Sequence, residues 1–488
     1  MEDIFDISKF ESYREDNRRE VKKAQDGLPS SLWDTYSAFA NCYGGVIILG
    51  IKENDDGSWR TTGLKNESKL KKVFWDNINN PKKVSINLLR ENDVKTYERD
   101  GDVIMVIHVP AAKREQKPVY INDDMFGGTF RRNYEGDYHC SRIQIKTMLR
   151  DQADDTIDLA VLDHLNLDIL NSDSVRGYRN AFGSLKESHP FLRLDDDEFL
   201  RSIGAAAFSD KDKTLHPTAA GLLMFGNEYD IVREFPDYFL DFRLELDPNN
   251  RWTDRIQSSS GDWSGNIFDF YFRVYNKLKQ SLAVPFKIAD GKRIDDTPMH
   301  EALREALANC LINADYYGSR GIVITQHANR ITLANPGYSR TGKIQMMKGG
   351  VSDPRNRGLM KMFNLIDVGE RAGSGIPKII NIWNDEDLKP PVIEELFSPD
   401  RTVLTLSLEK KQAIKTSDKS MDEPSDQSNK TLKHQEKILD YLKDNGRSAC
   451  NEIASYIGLS PERTRAILSQ MKEIESLGAN KNRAYRIK

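Results

Sequence analysis

The chain has 488 residues, of which 38% are hydrophobic and 30% charged, with a formal net charge of −4. The length allows about three or four domains, and the charge gives no nucleic-acid signal over the whole chain, so any such surface must be local. No apolar run reaches the roughly eighteen residues a spanning helix needs. The four cysteines, Cys42, Cys140, Cys310 and Cys450, are scattered without metal-ligand spacing and read as reduced thiols of a cytoplasmic protein. The opening MEDIFDISKF is acidic and carries no secretory pattern.

Residues 1–150 read as an α/β domain. Apolar positions Leu32, Tyr36, Phe39 and Ala40 predict a helix over Pro29–Tyr43, which Gly44-Gly45 ends. Val46–Ile51 (VIILGI) and Val103–Val109 follow as buried strands. Lys113, Arg114, Lys117, Arg131 and Arg132 form a local basic set, interleaved with Tyr120, Phe126, Phe130 and Tyr134. Basic side chains for phosphates and rings for bases suit a nucleic-acid groove; alternating charges on an exposed strand give the same pattern.

The run ExxxxExK followed by LWDTYSAFANCYGGVIILGIKEN, together with GGTFRRNYEGDY, resembles the AlbA-like domain of Schlafen proteins over Glu11–Arg142. The resemblance implies nucleic-acid binding. It also implies, for the nuclease members, two glutamates five apart with a third acid downstream. Glu15 and Glu20 fit that spacing, with Glu53 or Asp55 as the third. Three carboxylates converging on divalent ions activate a water at a phosphodiester. Five-residue spacing shares neither a helix face nor a strand face, so convergence requires a bend. The alternative is that Glu20 and Lys22 pair structurally on an edge strand while Glu15 is solvated.

Residues 151–296 read as a connector without assigned chemistry. Asp151–Asp158 is acidic. Asp195-Asp196-Asp197-Glu198 places negative charge at the start of a helix, Glu198–Ala207. Pro217–Gly226 (PTAAGLLMFG) reads as an apolar helix and Phe239–Leu246 as an alternating strand. The PTxAGLLxFG pattern resembles the segment that joins the two named domains in the same bacterial family. Arg251–Asn266 reads as a surface loop.

Residues 297–409 carry the densest signal. Glu301–Tyr317 is an amphipathic helix with Leu303, Ala306, Leu307, Cys310 and Leu311 on one stripe. Glu305 and Asn309 lie one turn apart on the same face. A carboxylate and a carboxamide so placed suit a magnesium ion and an attacking water; two incidental polar positions on a core-facing helix are the plainer reading. Two short strands follow, Ile322–Gln326 and Arg330–Ala334, ending in Asn335-Pro336-Gly337. A glycine-rich loop with Gly369, Gly373, Ser374 and Gly375 then opens a helix near Ile376, an arrangement that lets backbone amides approach a phosphate.

In this order the segments resemble the GHKL ATPases, in the branch of RecG-like and Schlafen-associated ATP-binding proteins, over Thr297–Leu406. The resemblance implies ATP and Mg2+ as cofactors, a catalytic role for Glu305 and a metal role for Asn309. It puts adenine recognition at Asn335 and Gly337, where the family usually carries Asp in place of Asn335, and phosphate contact at Gly369, Gly373, Ser374 and Gly375. Arg355 and Arg357 sit where the family's lid begins and are within reach of phosphates.

Lys410–Lys430 is a polar linker. Residues 431–488 show the periodicity of helices over Gln435–Lys443, Asn451–Ile457 and Pro461–Ile474, with Ser460 and Pro461 as start signals, and a closing strand over Ala484–Ile487. This is the order of a winged helix-turn-helix, with Arg463 and Arg465 on the recognition helix and Lys481, Arg483, Arg486 and Lys488 on the wing. A winged helix that binds protein instead has the same pattern.

The expected architecture is therefore multidomain α/β and α+β. It comprises an AlbA-like Schlafen domain (1–150), a helical and stranded connector (151–296), a Bergerat-type GHKL α/β sandwich (297–409), a flexible linker (410–430) and a C-terminal winged helix-turn-helix (431–488). Three functions fit: a nucleotide-controlled regulator that binds DNA or RNA, an ATP-gated metal-dependent nuclease acting in antiviral defence, and a nucleotide-stabilised scaffold. A homo-oligomer without membrane contact is expected under each.

Overall fold

Val46–Leu49 is buried at every position, and this continuous run explains how the N-terminal sheet is built. Gly45–Leu49 lies inside a four-stranded sheet ordered Arg19–Lys22, Gly45–Leu49, Asp102–Val109, Val94–Arg99. One face carries Ile47, Leu49, Met105 and Ile107 against the Ser31–Asn41 helix and Phe74. The other carries Val46, Ile48, Ile104 and Val106 against Phe5, Phe10, Tyr13 and Trp59. The strand predicted through Ile51 stops at Leu49; Gly50 turns the chain, and Ile51–Glu53 pairs instead with Trp59–Thr61.

This computed structural model describes residues 5–13, 15–153, 156–246, 252–281, 287–289, 292–294, 297–369, 373–396 and 399–411. Beyond those it describes 438, 441–443, 446–457, 464, 467–468, 471, 474–477 and 484–487. The chain divides into two units, Met1–Lys411 and Gln412–Lys488. Among the described residues no helix is long and apolar enough to cross a membrane.

A six-stranded mixed sheet forms the second part of the large unit, ordered Asp254–Gln257, Leu240–Glu245, Ile322–His327, Arg330–Pro336, Arg401–Ser407, Val392–Leu396. Its register places Phe242, Ile324, Leu333, Leu404 and Ile393 in one row across five strands. All five belong to a single core that also holds Leu303, Leu307 and Leu311 of the Pro298–Ile312 helix and Ile379 and Trp383 of the Gly375–Asp385 helix. The same core takes in Phe199, Leu222, Phe225 and Tyr271. Residues read as a connector thus supply two strands and much of the core beside the Glu305 helix.

That helix begins earlier and ends earlier than its periodicity indicates. Thr297 and Pro298 start it, and Ile312 ends it. Ala314, Asp315 and Tyr316 are buried outside the helix, with the Asp315 amide donating to the Pro336 carbonyl at 2.9 Å. The helix expected over Glu198–Ala207 runs Asp196–Ile203, because Asp195 accepts from the Glu198 amide and Gly204 closes it in the left-handed region; Ala206–Phe208 is a strand.

In the small unit the Cys450–Ile457 helix and three strands are described, ordered Ser448–Ala449, Ala484–Ile487, Ile474–Leu477. Ile438, Leu442, Ile453, Leu468 and Tyr485 share its core. Ile474 was expected to end a helix and instead starts a strand paired with Ile487. Arg463, Arg465, Lys481 and Arg483 lie outside the described residues.

Candidate functional site

The Arg330–Pro336 strand continues the core row of the sheet toward a cleft. Asn335 shares the face of Ile331 and Leu333 and sits opposite Thr402 in register. The cleft encloses about 950 Å³, part of it open to solvent, and is lined by Glu305, Asn309, Asn335, Arg340, Gly373 and Gly375 among others.

On one wall Asn309 Nδ2 donates to Glu305 Oε1 at 3.0 Å, so the pair spaced four apart is formed as a unit. Glu305 is buried. The Gly375–Asp385 helix starts against this pair. A Cβ on Gly375 would fall 2.1 Å from Glu305 Oε1 and 2.8 Å from Asn309 Nδ2, so any larger residue here would displace the ends of these two side chains. Gly373 has φ +66°, and a Cβ there would fall 2.4 Å from the Val351 carbonyl oxygen. The Gly350 amide donates to the Gly373 carbonyl at 3.1 Å, which lays the 339–356 segment over the glycine turn. Gly369 also has a positive φ, Ser374 precedes the helix, and residues 370–372 lie outside the description.

On the opposite wall Asn335 is buried. Its Nδ2 donates to the carbonyls of Pro336 at 3.2 Å and Asn313 at 3.5 Å, which orients Oδ1 as the acceptor for anything beside it. The Gly337 amide donates to the Asp400 carbonyl at 2.9 Å, and Thr402 Oγ1 donates to the Gly337 carbonyl at the same distance.

Among the described residues no group of three or more His, Cys, Asp or Glu side chains is placed to hold a metal ion. A magnesium ion that arrives with a phosphate chain needs only one or two protein oxygens, its waters and the phosphate completing the shell. Asn309, whose Nδ2 is turned to Glu305, has its carboxamide oxygen for such a role.

The predicted phosphate contact Arg355 is committed elsewhere. Its guanidinium pairs with Asp151 and donates to the carbonyls of Tyr338 at 2.9 Å and Asn313 at 3.3 Å, and these neighbours keep it firmly protonated against the cost of burial. The residue missed from sequence is Arg340, whose side chain is only 4% exposed in the cleft wall, 3.4 Å from Asp353. Its place three residues beyond the Asn-Pro-Gly turn is the one sequence signal that points to it.

The basic set of the N-terminal domain splits. Lys113 is exposed. Arg132 is buried and pairs with Glu20 at 2.8 Å and Asp137 at 3.0 Å. Arg131 is buried, stacks on the Tyr338 ring at 3.8 Å and pairs with Asp400 at 3.2 Å. Arg114 is 3.3 Å from Asp353 and donates to the Asp151 and Ala153 carbonyls. Lys117 donates to the Asn41 carbonyl at 2.8 Å. Four of these five cations therefore face the inside of the protein, where Arg131 and Arg114 join the N-terminal domain to the walls of the cleft. Arg150, 2.6 Å from Asp315, closes the same seam.

The carboxylates do approach one another. Asp16 and Arg19 pair across a tight turn, which sets Glu15 beside Glu20. The Glu15 carboxyl is pushed up to about 7 by burial first, then by the charges of Glu20 and Glu53. Two of the three acids have partners of their own: Glu15 accepts from the Val21 amide at 2.9 Å, and Glu20 pairs with Lys22 at 2.8 Å as well as with Arg132. Both the bend and the structural Glu20–Lys22 pair are present.

Residues 13–141 match the family described as Schlafen, AlbA_2, and residues 319–406 match that described as Putative ATP-dependent DNA helicase recG C-terminal. Residues 146–241 match a domain of unknown function, DUF8451. The chain thus has an AlbA-like plus divergent HATPase architecture. The second match contains Asn335, Gly337 and the glycine loop and begins after Asn309, so the Glu305–Asn309 pair stands on its geometry. No curated protein matches. Among solved structures, the DIP2311 protein from Corynebacterium diphtheriae is 16% identical, with 96% of this chain and 94% of that chain covered and a TM-score of 0.43. The N-terminal domain of a putative ATP-dependent DNA helicase RecG-related protein from Nitrosomonas europaea is 28% identical, with 27% of this chain and 89% of that chain covered and a TM-score of 0.22.

Proposed function

We propose that this chain is an ATP-binding regulator that binds nucleic acid, in which a nucleotide between the Asn309 helix and the Gly373 turn controls an AlbA-like domain and a C-terminal winged helix. The supporting observation is that the cleft walls and the AlbA-like domain are joined by the same side chains. Asp353 and Tyr338, by the cleft, meet Arg114 and Arg131 of the AlbA-like domain, and Arg355 pairs with Asp151 just beyond that domain. A nucleotide that moves these residues acts directly on the AlbA-like domain.

In this reading Asn335 Oδ1 accepts the amino group of adenine, a role its Nδ2 bonds pre-orient. Gly373 and the start of the Gly375–Asp385 helix offer amides and a favourable dipole to phosphates. Asn309 holds the magnesium ion, and Glu305 orients and deprotonates the attacking water. Magnesium supplies charge neutralisation on the phosphate chain. DNA contact falls to Arg463, Arg465, Lys481 and Arg483, with Lys113 on the AlbA-like side, and RNA is the alternative ligand. A homo-oligomer provides the second half-site.

The test is fluorescence anisotropy of labelled duplex and single strands with the full chain, with and without Mg-ATP. The proposal expects affinity to change by about tenfold, the size of a typical coupling between sites. Equal affinity in both conditions contradicts it.

A second reading, an ATP-gated metal-dependent nuclease acting in antiviral defence, is favoured by the charges of Glu20 and Glu53 acting on half-buried Glu15. It requires manganese- or magnesium-dependent cutting that Glu20→Gln abolishes; an intact substrate with the wild type removes it.

A further inference from the structure

A second cavity, about 1210 Å³ with its mouth open to solvent counted in, lies in the seam between the AlbA-like domain and the cleft. Tyr43, Lys117 and Met148 line it from one side, and Tyr338, Arg340 and Ile344 from the other. It shares the Tyr338–Thr341 loop with the nucleotide cleft but includes neither Glu305, Asn309, Asn335 nor the glycine turn.

Its cations outnumber the acids that serve them. Lys117 is half-buried and donates to the Asn41 carbonyl, and among the described residues its ammonium forms no ion pair. Loss of water around that ammonium lowers its pKa. An inward lysine without a carboxylate is a costly arrangement unless an anion completes it. Arg340 is the second case. Nη1 donates to the Pro354 carbonyl at 3.1 Å, while Nη2 is buried with no hydrogen-bond partner among the described residues. The Asp353 beside it is shared with Arg114 and Arg357. Four cations line the cavity, Arg114, Lys117, Arg131 and Arg340, against three carboxylates, Asp151, Glu395 and Asp400, and Asp151 is also paired with Arg355 outside it. Burial pushes the Glu395 carboxyl up to about 7, so it is only partly ionised near neutral pH.

We infer that this cavity is a separate ligand site that takes a small phosphate monoester. The phosphate dianion meets the Lys117 ammonium in the field of the neighbouring Arg340 guanidinium, and the organic body rests on the wall of Tyr43, Met148 and Ile344. Because Arg340 lies on the shared loop, the ligand acts on the nucleotide cleft from outside it. The site stands whether or not the cleft binds ATP.

Calorimetric titration of the nucleotide-free full chain with inorganic phosphate, and then with ribose 5-phosphate, tests this. Saturable binding is expected for both, tighter for the sugar phosphate. Lys117→Met should weaken it at least tenfold and Lys117→Arg should restore it. Met148→Trp, which fills the cavity and keeps the charge, should weaken ribose 5-phosphate more than phosphate. Asn309→Ala should leave both unchanged. The inference is overturned by absence of binding in the wild type, by equal binding in Lys117→Met and Met148→Trp, or by loss of phosphate in Asn309→Ala instead.

Discussion

The guanidinium of Arg131 stacks on the ring of Tyr338 at 3.8 Å, while both side chains bond to Asp400, Arg131 at 3.2 Å and the Tyr338 hydroxyl at 2.7 Å. One residue of this trio belongs to the AlbA-like domain. The second follows the Asn-Pro-Gly turn, and the third precedes the strand that pairs with it. The trio ties the nucleic-acid-type domain to the cleft through one buried and two half-buried side chains.

Breaking this trio should loosen the seam. Arg131→Ala leaves half-buried Asp400 with Tyr338 and Gln144 as partners but without its cation, which costs about 1 kcal/mol, plus about 1 kcal/mol for the lost stacking. A lower melting temperature and faster proteolysis between residues 141 and 157 are expected. The salt dependence of nucleic-acid binding should not change, because Arg131 is not on the surface. A changed salt slope with unchanged melting would assign Arg131 to phosphate contact.

Glu305→Ala should abolish phosphate release from ATP while leaving ATP affinity within about threefold, because a residue acting in the transition state alters turnover more than binding. Loss of binding and turnover together would make Glu305 a structural partner of Asn309.

Asn335→Ala removes the oriented acceptor and should weaken ATP binding about tenfold or more, leaving GTP unchanged. Competition between the two nucleotides on wild type and variant measures this directly. Equal weakening of both would place Asn335 outside base recognition.

Stability should fall as pH rises from the ordinary carboxylate range through about 7, and level off above it. Glu15 and Glu395 are each pushed up to about 7, above the ordinary carboxylate value, Glu15 by burial and then Glu20, Glu395 by burial and then Asp400 despite the Ser339 amide. A raised folded-state pKa stabilises at low pH and loses that contribution as pH rises through 7. Glu15→Gln and Glu395→Gln should each raise the melting temperature at pH 8 by a few degrees and have little effect at pH 5. A difference that is the same at both pH values would exclude titration as the cause.

Much of the scaffold was legible because it depends on local signals. The FANCYGG run announces a helix, its stop and a doubly buried strand, and the Ile322 and Arg330 strands alternate as their register requires. The Glu305–Asn309 unit was legible from helical spacing alone. The fate of Arg131 and Arg132 was not, since Phe130–Asn133 reads identically whether its arginines face water or an acid 269 residues away. The end of the Glu301 helix was misplaced for a similar reason. Ala314 and Tyr316 keep the apolar rhythm but are buried by the sheet and by Phe235 and Tyr238. Arg340 carried no motif; only folding shows that its guanidinium is enclosed beside a shared aspartate.

The most direct test of a nucleotide between the Asn309 helix and the Gly373 turn is a calorimetric titration of the full chain with Mg-ATP, repeated on Asn309→Ala and on Gly375→Ala, whose added methyl displaces Glu305. One nucleotide per chain with wild type, and at least tenfold weaker binding in each variant, is the expected result. No heat with any purine nucleotide, or equal heat in all three proteins, would contradict it.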